Sequence, residues 1–330
     1  MANLQRNPDR AITMLGVAGL LAMVVAYFMP IWWVSLTAPN YPKDAFPQGI
    51  RIHFHFDGVT NGCSVAGNGS RRQNETLQQD LDGEVQRYNP VLDAAQDVNR
   101  GAEGLDCVHE MNTINHYVGM FPISTGAPVE KPLSRYFFGY FAAMLLAFLV
   151  PEGRRRLRVP VLAAGCTLVA AWMLVEQFGL GRLDAHVNAY MRDATAYFNE
   201  PGKISHWGAN MRAASIVAIW GLVAAMAATV IATWRLPSFV LVLALVPALL
   251  PLFFLITYSG WLWFFGHHLH PWGAFTVKPF MPTVFGEGKV AQFSTYSYPH
   301  WGFALLLVVF ACLSLALLLR RQQLRAGATG

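Results

Sequence analysis

Six stretches of the chain carry almost no formal charge over a length that can cross a hydrocarbon layer: residues 11–33, 133–150, 159–178, 213–234, 239–265 and 303–319. A helix rises about 1.5 Å per residue, so ~20 apolar residues span the ~30 Å core of a bilayer. In lipid, a helix satisfies its own backbone polar groups, which an irregular segment cannot do. Composition agrees, with 54% hydrophobic residues, 13% charged residues and a mean hydropathy of +0.35. The predicted fold class is an all-α integral membrane protein of six transmembrane helices, with a mixed α/β periplasmic insertion between helices 1 and 2.

Basic residues set the expected orientation. Arg154, Arg155, Arg156 and Arg158 lie between the second and third runs, Arg235 between the fourth and fifth, and Arg320, Arg321 and Arg325 after the sixth. The positive-inside rule places these links and both termini in the cytoplasm. The net charge of +5 thus reports orientation, and no nucleic-acid partner is expected. Arg6 and Arg10 precede the first run, which ends at Pro30, Trp32 and Trp33 without a small-residue cleavage pattern; it reads as a retained span. The expected domains are a cytoplasmic N-terminus with the first helix (1–33), a periplasmic domain (34–132) and a five-helix membrane region (133–330). Two further periplasmic segments, 179–212 and 266–301, belong to that region.

Candidate metal donors gather in the predicted periplasmic parts. Residues 51–56 alternate in polarity, which predicts a strand with His53 and His55 on one face and Ile52, Phe54 and Phe56 on the other. Those imidazoles either share a metal or form a solvated polar face over an apolar core. Residues 61–73 read as an exposed loop with sequons at Asn68 and Asn74, and 75–98 as one or two short helices. Cys63 and Cys107 lie in this segment, whereas Cys166 and Cys312 lie within spans. An oxidising compartment favours a Cys63–Cys107 bridge, with metal ligation as the alternative.

The densest set of donors runs from Asp106 to Met120, where His109, Met111, His116 and Met120 accompany Cys107. Imidazole, thioether and thiolate suit copper or zinc. Asn112, His116 and Met120 recur every four residues, so a continuous helix would align them. The bland reading gives the histidines to the surface and the methionines to the core. His267, His268 and His270 form a second cluster ahead of Pro271, either solvated or ligating. Residues 183–199 have the spacing of an amphipathic surface helix. The triplet His206-Trp207-Gly208 returns as His300-Trp301-Gly302, each just before a predicted span.

Several chemistries lack their residues. No predicted span contains a histidine to ligate a haem, and no c-type attachment motif is present. Glu176 is almost the only carboxylate within a span, which disfavours ion-coupled transport. A phosphate loop, a nucleophile elbow and a His-Glu-x-x-His signature are missing, so no catalytic residue is assigned.

Three phrases carry a resemblance: Leu36-Thr37-Ala38-Pro39-Asn40-Tyr41-Pro42, Ile114-Asn115-His116-Tyr117-Val118-Gly119-Met120, and Lys278-Pro279-Phe280-Met281-Pro282 with Gly286. The chain resembles a family of bacterial polytopic membrane proteins encoded beside atypical nitrous oxide reductase genes. It departs from that family's shorter form over residues 61–98. The resemblance implies an inner-membrane accessory protein that matures, supplies copper to or supports a periplasmic copper enzyme, with His116 and Met120 as the positions carried over. Copper is the expected cofactor, and the bilayer and a copper protein or membrane complex are the expected partners. The alternative expectation is a structural or electron-relay subunit of a larger membrane complex, with no metal of its own.

Overall fold

The computed structural model describes residues 8–39, 41, 46–63, 106–123, 126–198, 200–271, 273, 277–290 and 292–328. The expected sequons at Asn68 and Asn74 and the helices expected over 75–98 lie outside the described residues.

Helix α1 (Pro8–Phe28) leads into strand β1 (Trp32–Thr37), followed by β2 (Ile50–His55) and β3 (Gly58–Asn61). A short helix α2 (Cys107–Tyr117) precedes α3 (Ser134–Leu149), α4 (Arg158–Leu174), α5 (Arg182–Tyr197) and α6 (Pro201–Arg235). Then come α7 (Val240–Ala248), α8 (Leu250–His267), the strands β4 (Gly286–Val290) and β5 (Phe293–Pro299), and α9 (Trp301–Ala328).

Among the described residues five helices are long and apolar enough to cross a membrane: Pro8–Phe28, Lys131–Leu149, Glu152–Gly179, Pro201–Arg235 and Trp301–Ala326. A sixth passes when α7 and α8 are taken together, bent by 50° at the break between them. The break has a covalent cause. Pro247 and Pro251 each lack the backbone N–H that an uninterrupted helix would use, and they flank Leu249. Two boundaries differ from expectation. The first helix stops at Phe28 because Pro30 follows, and the tryptophans predicted to end it begin β1 instead. Helix α6 starts at Pro201 rather than at 213, and its 35 residues run roughly 50 Å, longer than a bilayer core.

The five strands form one antiparallel sheet in the order β3-β2-β1-β5-β4. The expected strand over 51–56 is present as β2, with Ile50, Ile52 and Phe54 buried and Arg51, His53 and His55 half-buried on the other face. The sheet is not confined to the first insertion, since β4 and β5 come from the segment 266–301. Central strand β1 continues α1, and its neighbour β5 continues into α9. The first and last apolar helices therefore grow directly out of adjacent strands. On the inner sheet face Trp32, Val34, Leu36, Ile50, Ile52 and Phe54 pack against α2 and α8.

A disulfide joins Cys63 to Cys107, as expected, and ties the end of β3 to the start of α2. At the opposite end of the bundle Arg320, only 1% exposed, donates to Phe148 O at 3.1 Å and Val150 O at 3.3 Å. Its Nη1 lies 3.5 Å from Asp9 and 3.6 Å from Glu152, so one guanidinium links α1, α3 and α9.

Candidate functional site

The donors expected to form one metal centre are distributed among several separate packing environments. Helix α2 is capped by Asp106, whose Oδ1 accepts from Val108 N at 3.0 Å and His109 N at 3.1 Å. It ends before Met120. Gly119 N–H donates to His116 O at 2.9 Å and Met120 N–H donates to Asn115 O at 2.8 Å, the paired reverse bonds of a Schellman stop. Gly119 takes the left-handed conformation this stop needs, with φ +81°. The four-residue spacing of Asn112, His116 and Met120 consequently does not place them on one helical face. Asn112 Oδ1 instead accepts the Ile123 N–H at 2.9 Å, and Met120 sits in a small cluster with Val118 and Phe265.

Both methionines are core residues. Met111 is 3% exposed in the cluster beneath the sheet, and Met120 is 5% exposed. His116 packs its ring 5.0 Å from Phe198 and 6.0 Å from Tyr197, and burial followed by the nearby His270 lowers its pKa. His109 Nδ1 lies 3.2 Å from the Tyr197 hydroxyl.

The expected His267, His268 and His270 cluster also divides. His267 and His268 close the C-terminus of α8, where each Nδ1–H donates to the carbonyl four residues back, Trp263 at 2.8 Å and Phe264 at 2.9 Å. Their rings stack on the side chains of those same residues. His270 turns inward, stacks on Phe198 at 4.3 Å and sits with its Nε2 3.2 Å from Glu200 Oε2. A hydrogen bond to Lys203, then that imidazole, holds the Glu200 carboxyl below the usual range. Chain and chain also meet here, since His270 N–H donates to Gly119 O at 2.6 Å and Phe280 N–H to Gly266 O at 3.1 Å. The phrases around Gly119, His270 and Phe280 are thereby brought together, as packing partners.

Two imidazoles do approach each other on the outer sheet face. His53 on β2 and His300 at the end of β5 have ring centroids 5.0 Å apart. Burial, then His300, Arg51 and His55, pushes the His53 pKa down to about 4, and burial also lowers those of His55 and His300. His55 is engaged with the Thr60 hydroxyl at 3.1 Å, and His300 Nδ1 accepts the Trp301 N–H at 2.9 Å. Sequence reading missed the neighbours of this pair. Arg51 lies 4.2 Å over the Trp33 ring, and Trp33 packs 5.4 Å from Tyr298. The signal for them lay in strand register, with Trp33 paired to both His53 and Tyr298.

Among the described residues no group of three or more His, Cys, Asp or Glu side chains is placed to hold a metal ion. Of the predicted donors His53, His55, His109, Met111, His116, Met120, His267, His268 and His270, His116 and His270 meet on the Phe198 ring and His53 lies beside His300, whereas Met111 and Met120 pack in two different apolar clusters and His267 and His268 cap α8. Comparison with protein-family models, curated proteins and solved structures gives no match.

Proposed function

We propose that the protein is a membrane-anchored accessory subunit, set in a bacterial inner membrane, whose sheet-bearing cap is a rigid contact platform for a larger complex on the periplasmic side. The observation that carries this reading is the direct continuity of α1 with β1 and of β5 with α9, which couples the cap to the spans without a linker. Such a cap presents a fixed surface. Its outer face combines Trp33, Arg51, His53 and Tyr298, and aromatic and arginine side chains of this kind are enriched where proteins meet. The Cys63–Cys107 bridge fits an oxidising compartment, and the arginines of 154–158 and 320–325 fit the opposite, cytoplasmic side.

The test is recovery of a stoichiometric complex from native membranes in mild detergent, with wild-type protein beside an Arg51→Glu, Tyr298→Glu variant. The reading expects at least a tenfold loss of complex at unchanged melting temperature. A wild-type protein that runs only as a free chain, or a variant that keeps its partners, overturns it.

A second reading, copper handling on behalf of a periplasmic copper enzyme, is favoured by one observation, the approach of His53 and His300. Neutral imidazoles are copper ligands, and a pair with no third donor among the described residues suits transfer more than retention. Titration of the purified protein with Cu(I) against a colorimetric competitor tests it. The copper reading requires one bound equivalent that His53→Ala abolishes, with His116→Ala and His267→Ala silent; equal binding in all four proteins removes it.

A further inference from the structure

Beneath the sheet a cavity of about 700 Å³ lies between α3, α6, α7 and α8. Its existence follows from two sequence features. The proline-flanked break between α7 and α8 bends one wall. Ala218, Gly221 and Ala225 line the facing wall on α6, where a Cβ added to Gly221 would meet nothing within 4 Å. Gly221 and Ala225 on one side and Phe253 and Ile256 on the other line the cavity and are themselves exposed, so it opens sideways between α6 and α8.

Polar groups are concentrated toward the sheet. Trp261 Nε1 donates to Glu130 Oε2 at 2.8 Å, and Glu130 and Tyr258 face the space among phenylalanines. Burial raises the Glu130 pKa, which biases its carboxyl toward the uncharged form.

Size separates the possible occupants. A helix is about 10 Å wide, so one entering from a partner would fill 700 Å³ within roughly 9 Å of its length, far short of a span. A small molecule matches the volume, which falls in the usual ~300–1,000 Å³ range of ligand sites. Apolar walls with a lateral mouth accept a hydrocarbon chain from the bilayer. Among the described residues no lysine or arginine lines the space to pair with a phosphate. We infer that the cavity binds an amphiphile from the membrane, its tail a hydrocarbon chain and its head an uncharged, hydroxyl-bearing group that hydrogen-bonds to Glu130. A substituted hydroquinone and an acylglycerol share this chemistry.

The full chain in detergent is titrated with four probes: a decyl-substituted benzohydroquinone, 1-oleoylglycerol, dodecane and dioleoylphosphatidylglycerol. One or both hydroxyl-headed probes should bind at one equivalent, and their ranking assigns the source as ring-headed or glycerol-headed. Gly221→Phe fills the cavity from an open position and should weaken that binding at least tenfold at unchanged melting temperature; Ala225→Phe repeats the test from the next turn. Glu130→Leu should weaken the hydroxyl-headed probes several-fold while leaving dodecane unaffected. Equal affinity in wild-type and cavity-filled proteins, phosphatidylglycerol binding as tightly as the hydroxyl-headed probes, or no binding of either hydroxyl-headed probe would overturn the inference.

Discussion

The indole N–H of Trp32 donates to the Ser297 hydroxyl over 2.8 Å, joining the strand that leaves the first apolar helix to the strand that enters the last. Ser297 is 0% exposed and its O–H donates a hydrogen bond to Val284 O at 2.8 Å, with the Tyr258 hydroxyl 3.2 Å away. One buried hydroxyl thus serves β1, β5, α8 and the loop before β4. Removing it strands an indole donor where water does not reach, at a cost of about 1–3 kcal/mol. Ser297→Ala should lower stability by that amount in denaturant unfolding of the detergent-solubilised protein. The Trp32→Phe, Ser297→Ala double variant should lose less than the sum of its parts, because the indole donor is no longer there to be left unpaired.

Gly119 carries the next prediction. Its φ of +81° disfavours any L side chain, and an added Cβ would stand 2.5 Å from His270 O. Gly119→Ala should destabilise by roughly 1–3 kcal/mol, through strain and through loss of the backbone contact between Gly119 and His270. Gly153→Ala is the control, since nothing lies within 4 Å of its new Cβ. A Gly119→Ala protein that melts with the control would refute this account of the turn.

The disulfide predicts a labelling pattern and a stability change. Unfolded without reductant, the chain should expose two thiols, Cys166 and Cys312, and with reductant four. Cys63→Ser should destabilise by about 4 kcal/mol on the chain-entropy account of a loop this long, read as a fall in unfolding midpoint. Four reactive thiols without reductant would rule the bridge out.

Acid should loosen the outer sheet face. His53 titrates at about 4 in the folded protein against an ordinary 6.5, so between those values the unfolded chain binds more protons than the native one. Its neutral form contributes stability that is fully present above pH 6.5 and is lost as the pH falls to about 4. Allowing for solvent screening of a half-buried group, the loss is on the order of 1–2 kcal/mol. A His53→Gln protein should show a shallower decline over the same window when midpoints are measured at successive pH values. Identical slopes would place the acid sensitivity elsewhere.

Particular residues explain what could be read from sequence. The apolar helices were visible because uncharged runs of that length have few alternatives, and β2 because Ile52 and Phe54 alternate with His53 and His55. Strand β5 was hidden by inverted polarity: Thr295 and Ser297 point into the core while Tyr296 and Tyr298 point outward. Strand β1 was masked by its own hydrophobicity, merging Trp32 and Trp33 into the preceding run, with Pro30 as the one local warning. The predicted His and Met centre assumed that spacing of four implies a shared face beyond Tyr117. Gly119 was the contrary signal, because a glycine there ends a helix in a left-handed turn and sends the next side chain elsewhere. The cavity left no local trace at all. It arises from small residues on α6 meeting a proline break distant from them in the chain.

Cys63 and Cys107 have Cα atoms 6.0 Å apart, so the polypeptide between them departs and returns at virtually one point. A reverse turn closes a gap under about 7 Å. The start of α2 is thus held against the end of β3 by a crosslink and a short distance in space, independently of how many residues separate the two cysteines in sequence.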